Sequence, residues 1–161
     1  MAAGGASYGS ILQPTDFGSA GGYGDGGPEV VPGGGAIRLT VGGVLTVNGQ
    51  LSVNGDSAFK NDQGGGAGGS LWLAVGGLAG TGSITANGGV GEGPAHGGGV
   101  AGGRIATYYA SNSFAGALTA YGGPGTQRGG AGTIYTKAGT ESVGHLALHN
   151  GDVSGALTPL T

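Results

Sequence analysis

Cysteine is absent from the 161 residues. Disulfide scaffolds, zinc fingers and thiol chemistry are therefore excluded. Charge is scarce. Lys plus Arg number 5 and Asp plus Glu number 8, a formal net charge of −3. Charged residues make up 8% of the chain, where about a quarter is usual. There is no basic field for nucleic acid, and charge-driven disorder is not expected. No run approaches the ~18 apolar residues of a membrane span, so no membrane insertion is expected. The first residues, Met1-Ala-Ala-Gly-Gly-Ala-Ser-Tyr8, lack the basic residues and apolar run of a secretory signal.

Glycine is present in excess, at 45 of 161 residues, about four times the usual share of roughly 7%. The glycines have no period of three along the sequence, which excludes a collagen-like triple helix. They alternate with short β-prone runs: Ile37–Val41, Leu71–Val75, Ile105–Tyr109 and Ile134–Thr136. Such runs, rich in β-branched and aromatic residues and flanked by glycine, read as strands. No window of helical length escapes glycine or a turn signal. Each interior glycine costs about 0.5–1 kcal/mol relative to alanine. So many glycines make sense only where the backbone needs positive φ or very close approach. An ordered all-β fold is expected.

The spacing of these runs repeats. Leu71 and Ile105 stand 34 apart, as do Ile84 and Leu118. Within both units a first strand leads a second by 13 residues, and further copies begin at Ile37 and Ile134. Tyr8–Leu12 reads as a degenerate start. Units of this size cannot bury a face alone, and stacked neighbours can. The expectation is an all-β parallel β-solenoid (β-helix) of about 34-residue two-strand repeats joined by long glycine-rich loops. A single domain over 1–161 is expected: a degenerate N-terminal rung and loop in 1–35, regular repeats in 36–151, and the start of a further rung or a tail in 152–161. The two-residue period places Ile37, Leu71, Ile105 and Ile134 in one inward column, and Leu51, Ile84, Leu118 and Leu146 in another. A hairpin sandwich turning at Asn48-Gly49 is the rival. Asn-Gly recurs at 54–55, 87–88 and 150–151, where long loops begin, and that favours corners over hairpins.

Gly69-Ser-Leu-Trp-Leu, Gly82-Ser-Ile-Thr-Ala-Asn-Gly-Gly89, Gly103-Arg-Ile-Ala and Leu118-Thr-Ala-Tyr-Gly-Gly123 carry a resemblance. Across about residues 33–151 the chain resembles the glycine-rich parallel β-helix repeats of large secreted or cell-surface, adhesin-like bacterial proteins. That resemblance implies an extracellular or cell-surface location. The chain is expected either to be a piece of something larger or to work by assembling.

Candidate chemistry is sparse. Arg38, Trp72, Ala106 and Tyr135 fall on one outward row, and Thr40, Ala74, Tyr108 and Lys137 on the next. Arg38, Trp72, Tyr108 and Tyr135 are the candidate contact residues, for a subunit interface or a surface glycan, because Trp, Tyr and Arg are favoured at interfaces. The rings could equally cover backbone beneath a long loop. Gly21-Gly-Tyr-Gly-Asp25 resembles a calcium-binding glycine repeat, but it occurs once, and calcium takes 6–8 oxygens. Asp56 and Asp62 read as solvated turn residues. His96, His145 and His149 lack a metal spacing. No glycine string lies between a strand and a helix as phosphate binding requires, and no nucleophile elbow has a helix behind it. Glu92 and Glu141 lie in different connections, so the carboxylate pair of a glycan-cleaving site is missing. Thr46, Ser52, Thr85 and Thr119 read as one outward small-polar column.

These readings converge on a non-catalytic structural subunit of an extracellular fibre or surface layer, with no metal or cofactor. Its expected partners are copies of itself, stacked head-to-tail through uncapped solenoid ends. The alternative is an adhesin segment that binds glycan or protein through an exposed aromatic strip.

Overall fold

The computed structural model describes residues 9–24, 29–93 and 97–160. Tyr8, Asp25 and His96 lie outside them. The described residues form eight strands: β1 (Ala36–Thr46), β2 (Gln50–Ser52), β3 (Ser70–Gly80), β4 (Ser83–Thr85), β5 (Arg104–Phe114), β6 (Ala117–Thr119), β7 (Thr133–Ala138) and β8 (His145–Ala147). The described residues include no helix, and residues 9–12 form no strand. Each long strand starts at its β-branched or aliphatic run. It then continues well beyond that run, through Gly76-Gly77 in β3 and Ser111-Asn112-Ser113 in β5. Propensity does not explain those extensions. Pairing does, since Gly77 lies beside Ser111 and Leu78 beside Asn112.

A five-stranded sheet has the order β1-β3-β5-β7-β8, and a three-stranded sheet the order β2-β4-β6. In the larger sheet Ile37, Leu71, Ile105 and Ile134 lie side by side, followed by Leu39, Leu73, Thr107 and Thr136. In the smaller sheet Leu51, Ile84 and Leu118 do the same. The inner faces of the two sheets meet over a core that includes Leu71, Leu73, Val75, Leu78, Ile84 and Ile105. Leu71, Leu73, Ile84 and Ile105 are wholly buried. Burying a side chain of this kind contributes about 1.5–3 kcal/mol.

This arrangement corrects the expected parallel β-solenoid. The chain is a compact two-sheet domain rather than a β-helix or repeat protein, and its larger sheet is mixed. β1, β3 and β5 are each 11 residues long and carry the chain across to the smaller sheet, whereas β7 has only 6. After β7 the chain turns back. Glu141 N–H donates to the Ala138 carbonyl at 3.0 Å, and Ala138 N–H donates to Glu141 Oε2 at 3.0 Å. β8 then runs antiparallel along β7, so Leu146 faces Tyr135 instead of joining Leu118.

The glycine-rich stretches, expected as loops, form a packed layer of their own. Gly18 and Gly21 N–H groups donate to the carbonyls of Gly34 and Val31. Gly55 and Ala58 donate to Asn87 and Val90, Gly88 and Gly91 to Tyr121 and Pro124, and Gly99 and Gly102 to Gln127 and Gly130. In every pair both partners step by three residues, in opposite directions in the first and in the same direction in the others. Three is the period of a polyproline II helix, which has no internal hydrogen bonds and leaves its backbone groups free for neighbours. Close approach, not unusual φ, explains most of the glycines in this layer. Among the described glycines only Gly9, Gly80 and Gly151 have positive φ. A Cβ at Gly66 would instead strike the Pro32 carbonyl oxygen, and one at Gly123 that of Gly89.

Candidate functional site on the outer face of the large sheet

The strand register assembles the outward rows. Arg38 pairs with Trp72, Trp72 with Ala106, and Ala106 with Tyr135. One row on, Ala74 pairs with Tyr108 and Tyr108 with Lys137. The four candidate residues come together as two couples. The Arg38 guanidinium carbon lies 4.1 Å from the centroid of the Trp72 ring, a cation–π contact. The rings of Tyr108 and Tyr135 are 5.7 Å apart and tilted by 51°. Ala106, between the couples, is wholly buried.

The rings do not stand free in solvent. Trp72, Tyr108 and Tyr135 are half-buried, and Arg38 is exposed. The Tyr108 hydroxyl donates to the Leu12 carbonyl at 2.8 Å, which ties the N-terminal segment to this face. Pro14 of that segment is fully buried. Burial, and secondarily Tyr135, raises the Tyr108 pKa above the ordinary tyrosine value. The Trp72 indole nitrogen is buried without a hydrogen-bond partner. Local sequence gives no sign of this covering, because Leu12 and Tyr108 are 96 residues apart.

The remaining polar groups serve the fold. Asp62 N–H donates to Glu92 Oε2 at 3.1 Å, and Asp56 N–H donates to the Pro32 carbonyl at 3.0 Å. Gln63 is wholly buried. Its Nε2 donates to the Glu29 carbonyl and its Oε1 accepts from Lys60 N–H. Glu141 sits 3.2 Å from His145, and its carboxyl is held below the ordinary range by the Ala138 N–H first and His145 second. His149 lies 3.3 Å from Asp152, with its ring against Tyr121. Among the described residues no group of three His, Asp or Glu could hold a metal ion. The expected small-polar column does not form as such. Ser52, Thr85 and Thr119 are in register in the smaller sheet, but Thr46 belongs to the larger one and Thr85 is buried.

Two further features were not anticipated. The recurring asparagines form a ladder, with Asn54 Oδ1 accepting from Asn87 N–H at 2.7 Å and Asn87 Oδ1 from Tyr121 N–H at 2.8 Å. The repeated Asn-Gly was the available signal for it. A cleft of about 540 Å³ opens beside the glycine layer, lined by Ile11, Ala67, Ala101, Ala131 and Leu157, with Arg104 the only charged lining residue among the described residues.

The edge strand β1 is less covered than its neighbour β3. Ile37, Leu39 and Val41 are half-buried, while their neighbours on β3, Leu71, Leu73 and Val75, are buried. No family model matches this chain, and no curated protein or solved structure does either.

Proposed function

We propose that the chain is a non-catalytic structural subunit of an extracellular fibre or surface layer, joined to copies of itself through its open sheet edges. The observation that carries this reading is the step in burial from β3 to β1. Inward apolar residues at the sheet edge keep solvent contact that their neighbours have lost. A long apolar edge with free N–H and C=O groups invites pairing with another chain, and proteins that avoid such pairing blunt it with Lys or Pro. β1 contains neither, and Arg38 is its one charge.

The non-catalytic reading rests on the polar groups described above: the Glu92 and Glu141 carboxylates accept backbone N–H bonds, and those of Glu141 and Asp152 sit beside histidines. A sparsely charged domain with a hydrogen-bonded glycine layer offers few flexible segments to proteases, which suits the cell surface. Glycan binding through Arg38, Trp72, Tyr108 and Tyr135 draws less support. The Tyr108 hydroxyl is engaged by Leu12, and the Trp72 indole nitrogen is buried.

Negative-stain electron microscopy of the purified chain tests the proposal. Ordered filaments or sheets support it. Isolated particles at high protein concentration count against it, and binding of the wild type and Trp72→Ala to a glycan array then becomes the informative comparison.

A further inference from the structure

We infer that β1 pairs antiparallel with β1 of a second copy, across a two-fold axis at Leu39. This rests on the structural-subunit reading and names its contact. The edge is regular only over its first half. Gly42-Gly43 against the single Gly76 makes a bulge, so the register shifts between Val41 and Val44 and the regular edge is Ala36–Val41. Ser70 N–H donates to the Gly35 carbonyl, and Ser70 lies opposite Ala36. In a parallel ladder this alternation turns the main-chain groups of Ile37, Leu39 and Val41 toward β3. Those of Ala36, Arg38 and Thr40 then face the open edge.

Antiparallel pairing about Leu39 sets Arg38 against Thr40 of the second copy, and Ile37 against Val41 of the second copy. The edge-facing groups of Arg38 and Thr40 then exchange hydrogen bonds, about four in all across the axis. Leu39 meets Leu39 of the second copy in a non-hydrogen-bonded pair, where side chains approach most closely. Apolar residues therefore meet apolar residues on the inner face. The two arginines do not oppose each other, which avoids the like-charge penalty. The same patch serves both partners, as an isologous contact requires.

The opposite end of the molecule does not offer β1 a comparable partner. Its edges are β8 and β6, with 3 residues each. A second, different contact at that end would extend such pairs into a fibre.

The test combines three variants. The wild-type chain is expected to be dimeric or larger by sedimentation equilibrium. Thr40→Pro removes an edge-facing N–H and leaves the β1–β3 ladder intact, because proline is tolerated on edge strands with that N–H outward. It is expected to weaken association by about tenfold or more with an unchanged circular dichroism spectrum. The chain has no cysteine, so Leu39→Cys introduces a single thiol. At a non-hydrogen-bonded pair the Cα atoms stand about 4.5 Å apart, within disulfide range. Leu39→Cys is expected to form a disulfide-linked dimer on mild oxidation much faster than Thr46→Cys, which lies on the same strand away from the axis. The cysteine readout does not depend on the proline variant folding. If the wild type assembles but Leu39→Cys crosslinks no faster than Thr46→Cys, the β1 contact is overturned and the structural-subunit reading survives. A wild type that stays monomeric at every concentration overturns both.

Discussion

The Tyr108 hydroxyl hydrogen-bonds the Leu12 carbonyl at 2.8 Å across 96 residues of sequence. The bond ties the N-terminal segment to the face that carries Trp72 and Tyr135. Tyr108→Phe is expected to loosen this segment at a cost near the low end of the ~0.5–1.5 kcal/mol typical of a net hydrogen bond, because the site lies close to the surface. Trp72 is the one tryptophan, so a red shift of its emission reports the change. The pH dependence has a definite sign. The Tyr108 pKa is raised above the ordinary value of 10.0, by burial first and Tyr135 second. Its contribution to stability is fully present below that ordinary value and is lost as pH rises through the raised one. An alkaline titration should shift Trp72 emission in the wild type, and the shift should be reduced in Tyr108→Phe.

Gly66 approaches the Pro32 carbonyl too closely to admit a Cβ, while Gly42 has nothing within 4 Å of the same position. Gly66→Ala should therefore strain the glycine layer and destabilise by about 1–3 kcal/mol, as overpacking typically does. Gly42→Ala should be close to neutral. Paired chemical denaturation curves check the contrast. Equal effects at the two positions would mean that close approach is not why the layer is glycine.

Thr107 is wholly buried between Leu73 and Thr136 in the larger sheet, and its hydroxyl has no hydrogen-bond partner. Thr107→Val keeps the shape and removes the stranded group. It should stabilise the fold by about 1 kcal/mol, at the low end of the usual penalty for an unsatisfied polar atom. A lowered melting temperature would contradict this account of the site.

Leu73 and Leu39 are neighbours in register but differ in burial. Leu73→Ala should cost about 2–5 kcal/mol, the range for a buried leucine. Leu39→Ala should cost clearly less in the monomer, because solvent already reaches that side chain. If the Leu39 contact forms as inferred, the Leu39→Ala effect should grow with protein concentration, whereas the Leu73→Ala effect should not.

Some of this was legible from single residues. Leu71, Ile105 and Ile134 begin similar runs, and they do lie side by side in the larger sheet. The outward rows that hold Arg38, Trp72, Tyr108 and Tyr135 followed from the same two-residue alternation. The run at Leu146 looks like that of Leu118, while its partner, Tyr135, depends on the turn at Ala138–Glu141. Glycine-rich tracts read locally as loops because glycine encodes no partner.

The sequence by itself determined that the chain is β-rich, which residues alternate inward and outward, and that thiol chemistry is absent. These properties follow from composition and from a period of two, and both are local. The tertiary structure alone decided that β8 turns back, that the glycine tracts hydrogen-bond in three-residue steps, and that the N-terminal segment is tied over the aromatic face. Each of these depends on backbone groups distant along the chain. Hydrogen bonding between main-chain atoms, and the space left where a side chain is missing, are set by the neighbour that arrives rather than by residue type.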